Sequence, residues 1–438
     1  MGAQIVFLTL FLGIVSGTQP LVLEVTGPVK SVRVMFGGRE VAVMKNPPWE
    51  TRLDIGTDLT PRELTAIGFD KDGDEVARVS QIINLPRPVA EFDIVVEDAG
   101  VSLPWRHLMN QQPEHATITL DDKPLAVDAQ LHAKLPKINR EKTHILAAEI
   151  RFPDGFVARR ETVLEAALSA STATQLTPIG LRDAGKGHPR SWDGCITRAD
   201  GRPVRMAAME KPAALVIAVR DPYPPAGLPS PLEKWLTNQR KTPNWSIRNT
   251  TEFDRTTGVR IMWAVSQQFS DPEATADLFE ATSEFDAASD YGRSNGNVLF
   301  MLFTDYNGKA KEDATRQFSD AVAVAGIRAV TAAQRRAVIY VISDVADASR
   351  NSPASVRRYL DILGVPLFVW SRVGPYPTVA SVWGPVEDIS TYAKLAAATA
   401  RVRNALDDQR IGWVDVDPLE ALRLNASARC GIETMARP

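Results

Sequence analysis

The stretch RRAVIYVISD, residues 335–344, decides the fold that we predict for the C-terminal half of the chain. Its centre, 337–342, is a continuous apolar run rich in β-branched residues, which is typical of a strand buried on both faces of a sheet. Apolar residues at helical spacing precede this run at 320–330 and follow it at 355–363. A buried strand between two helices predicts a unit with a largely parallel sheet.

Three more apolar runs repeat the pattern. They read AALVIAV at 213–219, VRIMWAV at 259–265 and PLFVW at 366–370, and a helical pattern at 388–406 follows the last of them. Alternation of short buried strands with helices indicates an α/β Rossmann-like fold. We assign residues 210–438 to this unit.

The N-terminal half has the alternating pattern of β-hairpins instead, and each hairpin occurs twice. The sequence VMFGGREVAV at 34–43 matches ITLDDKPLAV at 118–127, each with a two-residue turn of Gly or Asp between two strands. An Asp-Gly turn ahead of Val-Ala-Arg occurs at 72–78 and again at 154–159. The copies are offset by 84 residues for the first hairpin and 82 for the second, so both recur with nearly one period.

A tandem duplication with this period predicts two immunoglobulin-like β-sandwich modules, at 20–88 and 89–165. The residues between the second module and the α/β unit, 166–209, are then a linker and a β-hairpin. Within them, GLRDAGK at 180–186 has the spacing of a phosphate-binding loop, but Gly187 stands where a Ser or Thr should follow the lysine. We interpret this stretch as a flexible connection.

A continuous apolar segment, IVFLTLFLGIV at 5–15, lies near the start of the chain. Its length suits the core of a signal peptide and is too short for a membrane span. We predict a signal peptide at 1–17, cleaved before Thr18, and hence a secreted or periplasmic protein. No Lys or Arg precedes the segment, and the alternative is a buried first strand.

The overall composition argues against several partners and chemistries. With 50 Lys and Arg against 53 Asp and Glu, and no stretch that concentrates basic residues beside aromatic ones, nucleic acid is not an expected partner. No later segment has the roughly 18 consecutive apolar residues of a membrane-spanning helix, so we expect no integral membrane span in the mature chain. Five His and two Cys leave little material for a zinc site or a thiol centre.

The two cysteines, Cys195 and Cys430, bracket the predicted α/β unit. The chain ends of a domain are often neighbours, and an exported protein meets oxidising conditions. We therefore predict a disulfide between them. Two buried free thiols are the alternative.

The run from Arg335 to Asp344, the helix after it and the strand at 365–369 resemble the second half of a von Willebrand factor type A (VWA) domain. The residues from Asp320 resemble the helix that precedes this strand in the family. With paired immunoglobulin-like modules and a signal peptide in front, the chain is similar to secreted bacterial proteins that carry a VWA-related domain. This resemblance implies a binding protein with a metal-ion-dependent adhesion site at the carboxyl ends of the sheet.

Such a site implies an Asp-x-Ser-x-Ser motif after the first strand, a Thr from a later loop and an Asp after the fourth strand, because Mg²⁺ prefers oxygen ligands. Asp221 matches the first position, but Tyr223 and Pro225 replace the two serines. Thr315 lies one residue out of the usual spacing, and Asp344 matches the last position. We predict a degenerate binding site formed by these three residues without a metal; a rearranged Mg²⁺ or Mn²⁺ site is the alternative.

The function predicted from these features is that of an exported, non-catalytic protein-binding or scaffold protein with an unidentified protein partner and no cofactor. A metal-dependent adhesin is the second hypothesis. A secreted enzyme is the third, and it has the least support. The chain contains no Gly-x-Ser-x-Gly, His-Glu-x-x-His or Gly-x-Gly-x-x-Gly motif.

Overall fold

The computed structural model describes most of the chain, and the structural statements below refer to the described residues. These are residues 2–9, 11, 13–85, 90–97, 100–107, 110–136, 143–153, 156–164, 174–183, 192, 194–221, 231–241, 253, 257–266, 285–291, 298–303, 315–343, 345–373, 382–425 and 430–436.

The N-terminal part of the chain folds into a β-sandwich. Its strands are β1 (Gln4–Phe7), β2 (Thr18–Thr26), β3 (Ser31–Phe36), β4 (Arg39–Met44), β5 (Glu50–Asp54), β6 (Arg62–Phe69) and β7 (Glu75–Ile83). They form a three-stranded sheet in the order β1-β2-β5 and a four-stranded sheet in the order β4-β3-β6-β7. Alternate residues, such as Val32 and Val34 of β3, lie in one apolar core between the two sheets.

A second β-sandwich follows. Its strands are β8 (Ala90–Phe92), β9 (Val95–Glu97), β10 (Gly100–Ser102), β11 (Trp105–His107), β12 (His115–Leu120), β13 (Lys123–Leu125), β14 (His132–Lys134), β15 (His144–Arg151), β16 (Val157–Leu164) and β17 (Thr174–Gln175). The larger sheet has the order β13-β12-β15-β16-β17 and shares one apolar core with two small sheets, β14-β10-β9 and β11-β8.

The larger sheets of the two sandwiches have matching strand orders, β4-β3-β6-β7 and β13-β12-β15-β16. The β3–β4 turn is Gly37-Gly38, with φ of 55° and 78°, and the β12–β13 turn is Asp121-Asp122, with φ of 49° and 63°. Positive φ at both central residues gives a turn whose twist matches that of the flanking strands. Of the second pair of turns, Asp72-Gly73 connects β6 to β7, and Asp154-Gly155 lies outside the described residues.

Several residues of the apolar segment predicted as the core of a signal peptide lie in the core of the first sandwich. Strand β1 pairs antiparallel with β2, and Ile5 and Phe7 are buried between the sheets. The buried side-chain amide of Asn84 donates to the Val15 carbonyl at 3.0 Å and accepts from the Val15 N–H at 2.7 Å. This packing corresponds to the alternative of a buried first strand, because cleavage after residue 17 would remove β1 and uncover part of the core.

Truncation of Phe7 tests whether this segment belongs to the folded protein. We expect Phe7→Ala to lower the free energy of unfolding by about 3 kcal/mol, because it leaves a cavity between the sheets. Val6→Ala on the same strand is the control: the Val6 side chain is 40% exposed, and its loss should change stability by no more than about 0.5 kcal/mol. Urea denaturation of both variants, expressed from Met1, gives the two values. Equally small losses would show that Phe7 is not buried in the folded core.

Four short strands connect the second sandwich to a central sheet: β18 (Thr177–Asp183), β19 (Ile196–Arg198), β20 (Pro203–Val204) and β21 (Met206–Glu210). The strands of the central sheet are β22 (Ala214–Arg220), β23 (Thr257–Ser266), β24 (Phe285–Tyr291), β25 (Arg335–Val341), β26 (Leu367–Ser371) and β27 (Val386–Asp388). Their order is β24-β23-β22-β25-β26-β27, and neighbours are parallel except for β24.

Helices cover both faces of the central sheet. They are α1 (Pro231–Arg240), α2 (Val298–Phe303), α3 (Phe318–Thr331), α4 (Pro353–Leu363) and α5 (Tyr392–Asp407). Helices α3 and α4 share one apolar core with the sheet, and α1, α2 and α5 share another. Strand β25 lies between these two cores with every residue buried, which is why its sequence is continuously apolar after Arg336. None of the described helices is both long and apolar enough to cross a membrane.

Local sequence sets the ends of helix α4, which packs beside α3. The Ser352 hydroxyl accepts from the N–H of Ser355 at the start of the helix, and Pro353 occupies the first turn. Gly364 ends the helix with a φ of 63°, a left-handed conformation that glycine adopts without steric cost. These signals place β26 directly after the helix, beside β25.

The C-terminal residues leave the central sheet and return to the strands that precede it. Strand β28 (Gln409–Val414) pairs antiparallel with both β18 and β21, and β30 (Ile432–Thr434) pairs with the other side of β18. Strand β29 (Leu422–Leu424) pairs with β19. The result is a third β unit with two sheets, β21-β28-β18-β30 and β20-β19-β29, and its own apolar core.

This third unit corrects two predicted boundaries. The stretch 166–209 was predicted as a linker and a β-hairpin, but its residues 177–183 also form β18, in which Leu181 is fully buried. The flexible connection predicted at 180–186 was therefore wrong at least as far as Asp183. The predicted α/β unit, 210–438, is too long, because the residues after α5 pair with β18 and β21. A strand needs hydrogen-bonding partners on its edges, and β28 and β30 supply them to β18.

A disulfide joins Cys195 to Cys430 in the core of the third unit, with the two Cα atoms 5.8 Å apart. Cys195 directly precedes β19 and Cys430 lies just before β30. The bond therefore links chain segments that lie before and after the central sheet in sequence.

Candidate binding site at the carboxyl edge of the central sheet

Three parallel strands of the central sheet end side by side, and polar residues lie at each end. Asp221 follows β22, Ser343 lies just after β25, and Ser371 is the last residue of β26, followed by Arg372. Asp221, Ser371 and Arg372 are buried. The carboxyl edge of an open parallel sheet is the place where such folds generally bind ligands.

Asp221 forms a buried ion pair at this edge. Its Oδ1 atom accepts a hydrogen bond from Arg316 Nε at 3.0 Å, and its Oδ2 atom accepts one from Ser343 Oγ at 3.0 Å. The side chains of Arg316 and Asp221 are only 3% and 5% exposed. At this depth each charge depends on the other, because an isolated buried charge is strongly unfavourable.

Arg316 reaches Asp221 because the backbone ahead of α3 is fixed over the end of β23. Arg316 forms an antiparallel bridge with Val265, and the N–H of Gln317 donates to the Ala264 carbonyl at 2.9 Å. The Arg316 carbonyl in turn accepts from the N–H of Ala348 at 2.9 Å. The position of the guanidinium thus follows from contacts with two separate segments.

The loop after β25 is tied to the start of α3 by two carboxylates. Asp347 accepts from the N–H of Phe318 at 2.9 Å and so caps α3 from a distant part of the sequence. Asp320, in the first turn of α3, accepts from the N–H groups of Arg350 at 2.9 Å and Asn351 at 3.1 Å. These reciprocal bonds join the segment that carries Arg316 to the loop that follows Ser343.

Tyr340, on β25, lies beneath this loop. It packs against Phe318 and Trp383, with ring centroids 5.7 Å and 5.1 Å away. Burial raises the pKa of the Tyr340 phenol, and the nearby charges of Asp347 and Asp221 raise it further. The phenol therefore stays neutral at physiological pH and contributes packing rather than acid–base chemistry.

Of the three residues predicted for the site, the structure places Asp221 at its centre. Thr315 is exposed and directly precedes Arg316, and Asp344 lies outside the described residues. The residues that contact Asp221, Arg316 and Ser343, were not predicted. Each of them is the immediate neighbour of a predicted position in the sequence: Arg316 follows Thr315, and Ser343 precedes Asp344.

Protein groups engage the charge and both carboxylate oxygens of Asp221. Both carboxylate oxygens accept hydrogen bonds, and the guanidinium balances the negative charge. A divalent cation placed on the same carboxylate would be repelled by Arg316 at close range. Across the described ranges of the chain, no group of three or more His, Cys, Asp or Glu side chains is arranged to hold a metal.

No protein-family model matches the chain, and no curated protein matches it. Among solved structures, the fibronectin(III)-like modules of Clostridium thermocellum CbhA are 14% identical, with a TM-score of 0.17 and coverage of 18% of this chain and 92% of that chain. The central fibronectin-III array of RIM-binding protein is 8% identical, with a TM-score of 0.20 and coverage of 42% of this chain and 80% of that chain.

A beta-glycosidase from Bacteroides vulgatus is also similar, at 11% identity and a TM-score of 0.24. The match covers 38% of this chain and 25% of the glycosidase chain. At TM-scores this low, none of these similarities carries an argument about function.

The ion pair predicts a distinctive stability pattern. We expect Arg316→Met to lower the free energy of unfolding by about 3–5 kcal/mol, because it leaves the Asp221 carboxylate buried without its counter-charge. The double variant Asp221→Asn with Arg316→Met removes both charges and should recover most of that loss. Urea denaturation followed by fluorescence measures both.

The control for this prediction is an exposed pair. Arg78 and Glu75 form an ion pair with side chains 53% and 43% exposed, so Arg78→Met should reduce stability far less than Arg316→Met does. If Arg316→Met lowers the free energy of unfolding no more than Arg78→Met does, the buried charges of Asp221 and Arg316 do not depend on each other.

Proposed function

We propose that the chain is an exported, non-catalytic protein-binding or scaffold protein, whose central sheet and helices form a VWA-like unit with a degenerate adhesion site. Support for the unit comes from one mostly parallel sheet covered by helices, with Asp221 at the carboxyl end of a central strand. This is the position that the resemblance to the VWA family implies for the first metal ligand.

The observation that carries the proposal is the pairing of Asp221 with Arg316. In a metal-dependent site the first aspartate contributes to binding a divalent cation, which is then shared with a carboxylate of the partner. Here a side chain of the same protein neutralises that aspartate. The edge is therefore suited to a partner that binds by shape and direct side-chain contacts rather than through a shared cation.

Support for export comes from the disulfide between Cys195 and Cys430, because disulfides persist mainly in oxidising compartments. The predicted signal peptide at 1–17 gives less support, since its apolar residues pack in the first sandwich. Secretion or a periplasmic location thus rests on the cysteines.

Exposed apolar side chains lie at the same edge and suit a protein partner. Val345, after β25, is 45% exposed, and Val373, after β26, is 55% exposed. Single exposed valines are common on protein surfaces, but these two follow neighbouring parallel strands beside the buried ion pair. They are also the positions at which a substitution perturbs the surface without changing the core.

Metal titration separates this proposal from the metal-dependent adhesin. We expect neither Mg²⁺ nor Mn²⁺ to raise the melting temperature of the wild-type protein, since any ligand bound only by the folded state would do so. The measurement is differential scanning fluorimetry of metal-stripped protein, with calorimetric titration alongside. A one-to-one metal site that is abolished by Asp344→Ala would contradict the degenerate site and support the metal-dependent adhesin instead.

Partner binding is tested by substitution on the surface of the edge. We expect a protein captured by the wild-type chain from the periplasm or culture medium of its source to be lost with the double variant Val345→Glu and Val373→Glu, because two buried carboxylates oppose an apolar contact. Val95→Glu is the matched control, since Val95 is 40% exposed in the second sandwich. Capture that survives the double variant, or is lost equally in the control, would locate binding elsewhere.

A further inference from the structure

A cavity of about 810 Å³ lies between the two sandwiches, the third β unit and helix α4. Its walls come from the first sandwich at Pro61, the second sandwich at Phe156, strand β18 at Ile179, helix α4 at Ile362 and the segment before β29 at Leu419. Most of the lining is apolar. Small-molecule sites typically have volumes of about 300–1,000 Å³ and lie preferentially at such junctions.

Arg336 lines this cavity and is only 6% exposed. Its Nε atom donates to the Gly364 carbonyl at 3.3 Å, and Nη2 donates to the Leu363 carbonyl at 3.2 Å. In the part of the chain that the structure describes, no carboxylate forms an ion pair with it. Burial lowers the pKa of this guanidinium to about 10, so it remains charged at neutral pH.

The acidic residues that line the cavity do not neutralise Arg336. Glu420 forms its ion pair with Arg198, and Asp361 lies exposed on α4. The contrast with Arg316 is direct: that guanidinium has a buried carboxylate partner, whereas Arg336 has two carbonyls, which carry no net charge.

Glycine at position 180 allows the guanidinium to lie against strand β18. A Cβ atom at Gly180, which also lines the cavity, would lie 2.8 Å from Arg336 Nη2 and 3.1 Å from the sulfur of Met435. Any larger residue at position 180 would therefore displace the cation from its place beside the cavity.

We propose that this cavity binds an amphipathic anion, with its carboxylate on Arg336 and its apolar body along the walls between the sandwiches and α4. A carboxylate would supply the counter-charge that none of the described residues provides and would form charge-assisted hydrogen bonds with the guanidinium. The apolar part of the ligand would lose its water contact against the aliphatic and aromatic lining. The charge-assisted hydrogen bonds and the burial of apolar surface together require one molecule that is apolar at one end and anionic at the other.

This site is separate from the carboxyl edge and does not depend on the proposed function. Arg336 lies at the amino end of β25 and Ser343 just past its carboxyl end, so the two sites are about 23 Å apart along the strand. Occupation of the cavity would contact both sandwiches, the third β unit and α4 at once.

Dodecanoate and dodecanol are the probes that test the proposal, because they share an apolar chain and differ in charge. We expect dodecanoate, used below its critical micelle concentration, to bind one-to-one by calorimetry and to raise the melting temperature. Dodecanol should bind at least about tenfold more weakly, since it lacks the charge-assisted bond. No binding of dodecanoate, or equal binding of the alcohol, overturns the proposal.

Substitutions test whether dodecanoate binds in the cavity lined by Arg336. Arg336→Gln should weaken dodecanoate binding at least about tenfold, and Arg401→Gln, remote from the cavity on α5, should leave it unchanged. Arg336 also bonds to the end of α4, so a second variant, Leu419→Glu, tests the location without altering that contact. Leu419 lines the cavity and is 37% exposed. A carboxylate there should weaken dodecanoate binding while the melting temperature of the free protein stays the same. Folded Arg336→Gln or Leu419→Glu protein that binds as tightly as the wild type overturns the assignment.

Discussion

The antiparallel pairing of β28 with β18 and β21 is the contact on which the C-terminal half depends. It brings residues after α5 back to residues that precede β22, so the central sheet is inserted between two parts of one small β unit. The disulfide between Cys195 and Cys430 joins the same two parts in the core of that unit. Closing the chain in this way connects the segment before the central sheet to the segment after it.

Strand β25 runs from the cavity at Arg336 to the carboxyl edge at Asp221. Its amino end carries Arg336, a buried cation with carbonyl partners, and its carboxyl end leads to Ser343, which binds Asp221. The same strand must therefore be apolar in the middle and polar at both ends. This division follows from its position between two helical layers, where only the strand ends reach cavities or solvent.

The two ends of β25 differ in how the chain balances charge. At the carboxyl edge, Asp221 and Arg316 form a buried ion pair. At the amino end, Arg336 donates to two carbonyls, and no carboxylate among the described residues forms an ion pair with it. The anion site that we propose rests on this difference.

Local patterns in the sequence determined the secondary structure and the types of sheet. The apolar run at 337–342 predicted β25, and the turns Gly37-Gly38 and Asp121-Asp122 predicted matching hairpins, because both depend on residues adjacent in the chain. The contact of Arg316 with Asp221, the burial of the first strand and the return of β28 to β18 were decided only by the tertiary structure. Each joins segments far apart in sequence, and no local periodicity records which distant edge or charge a residue will meet.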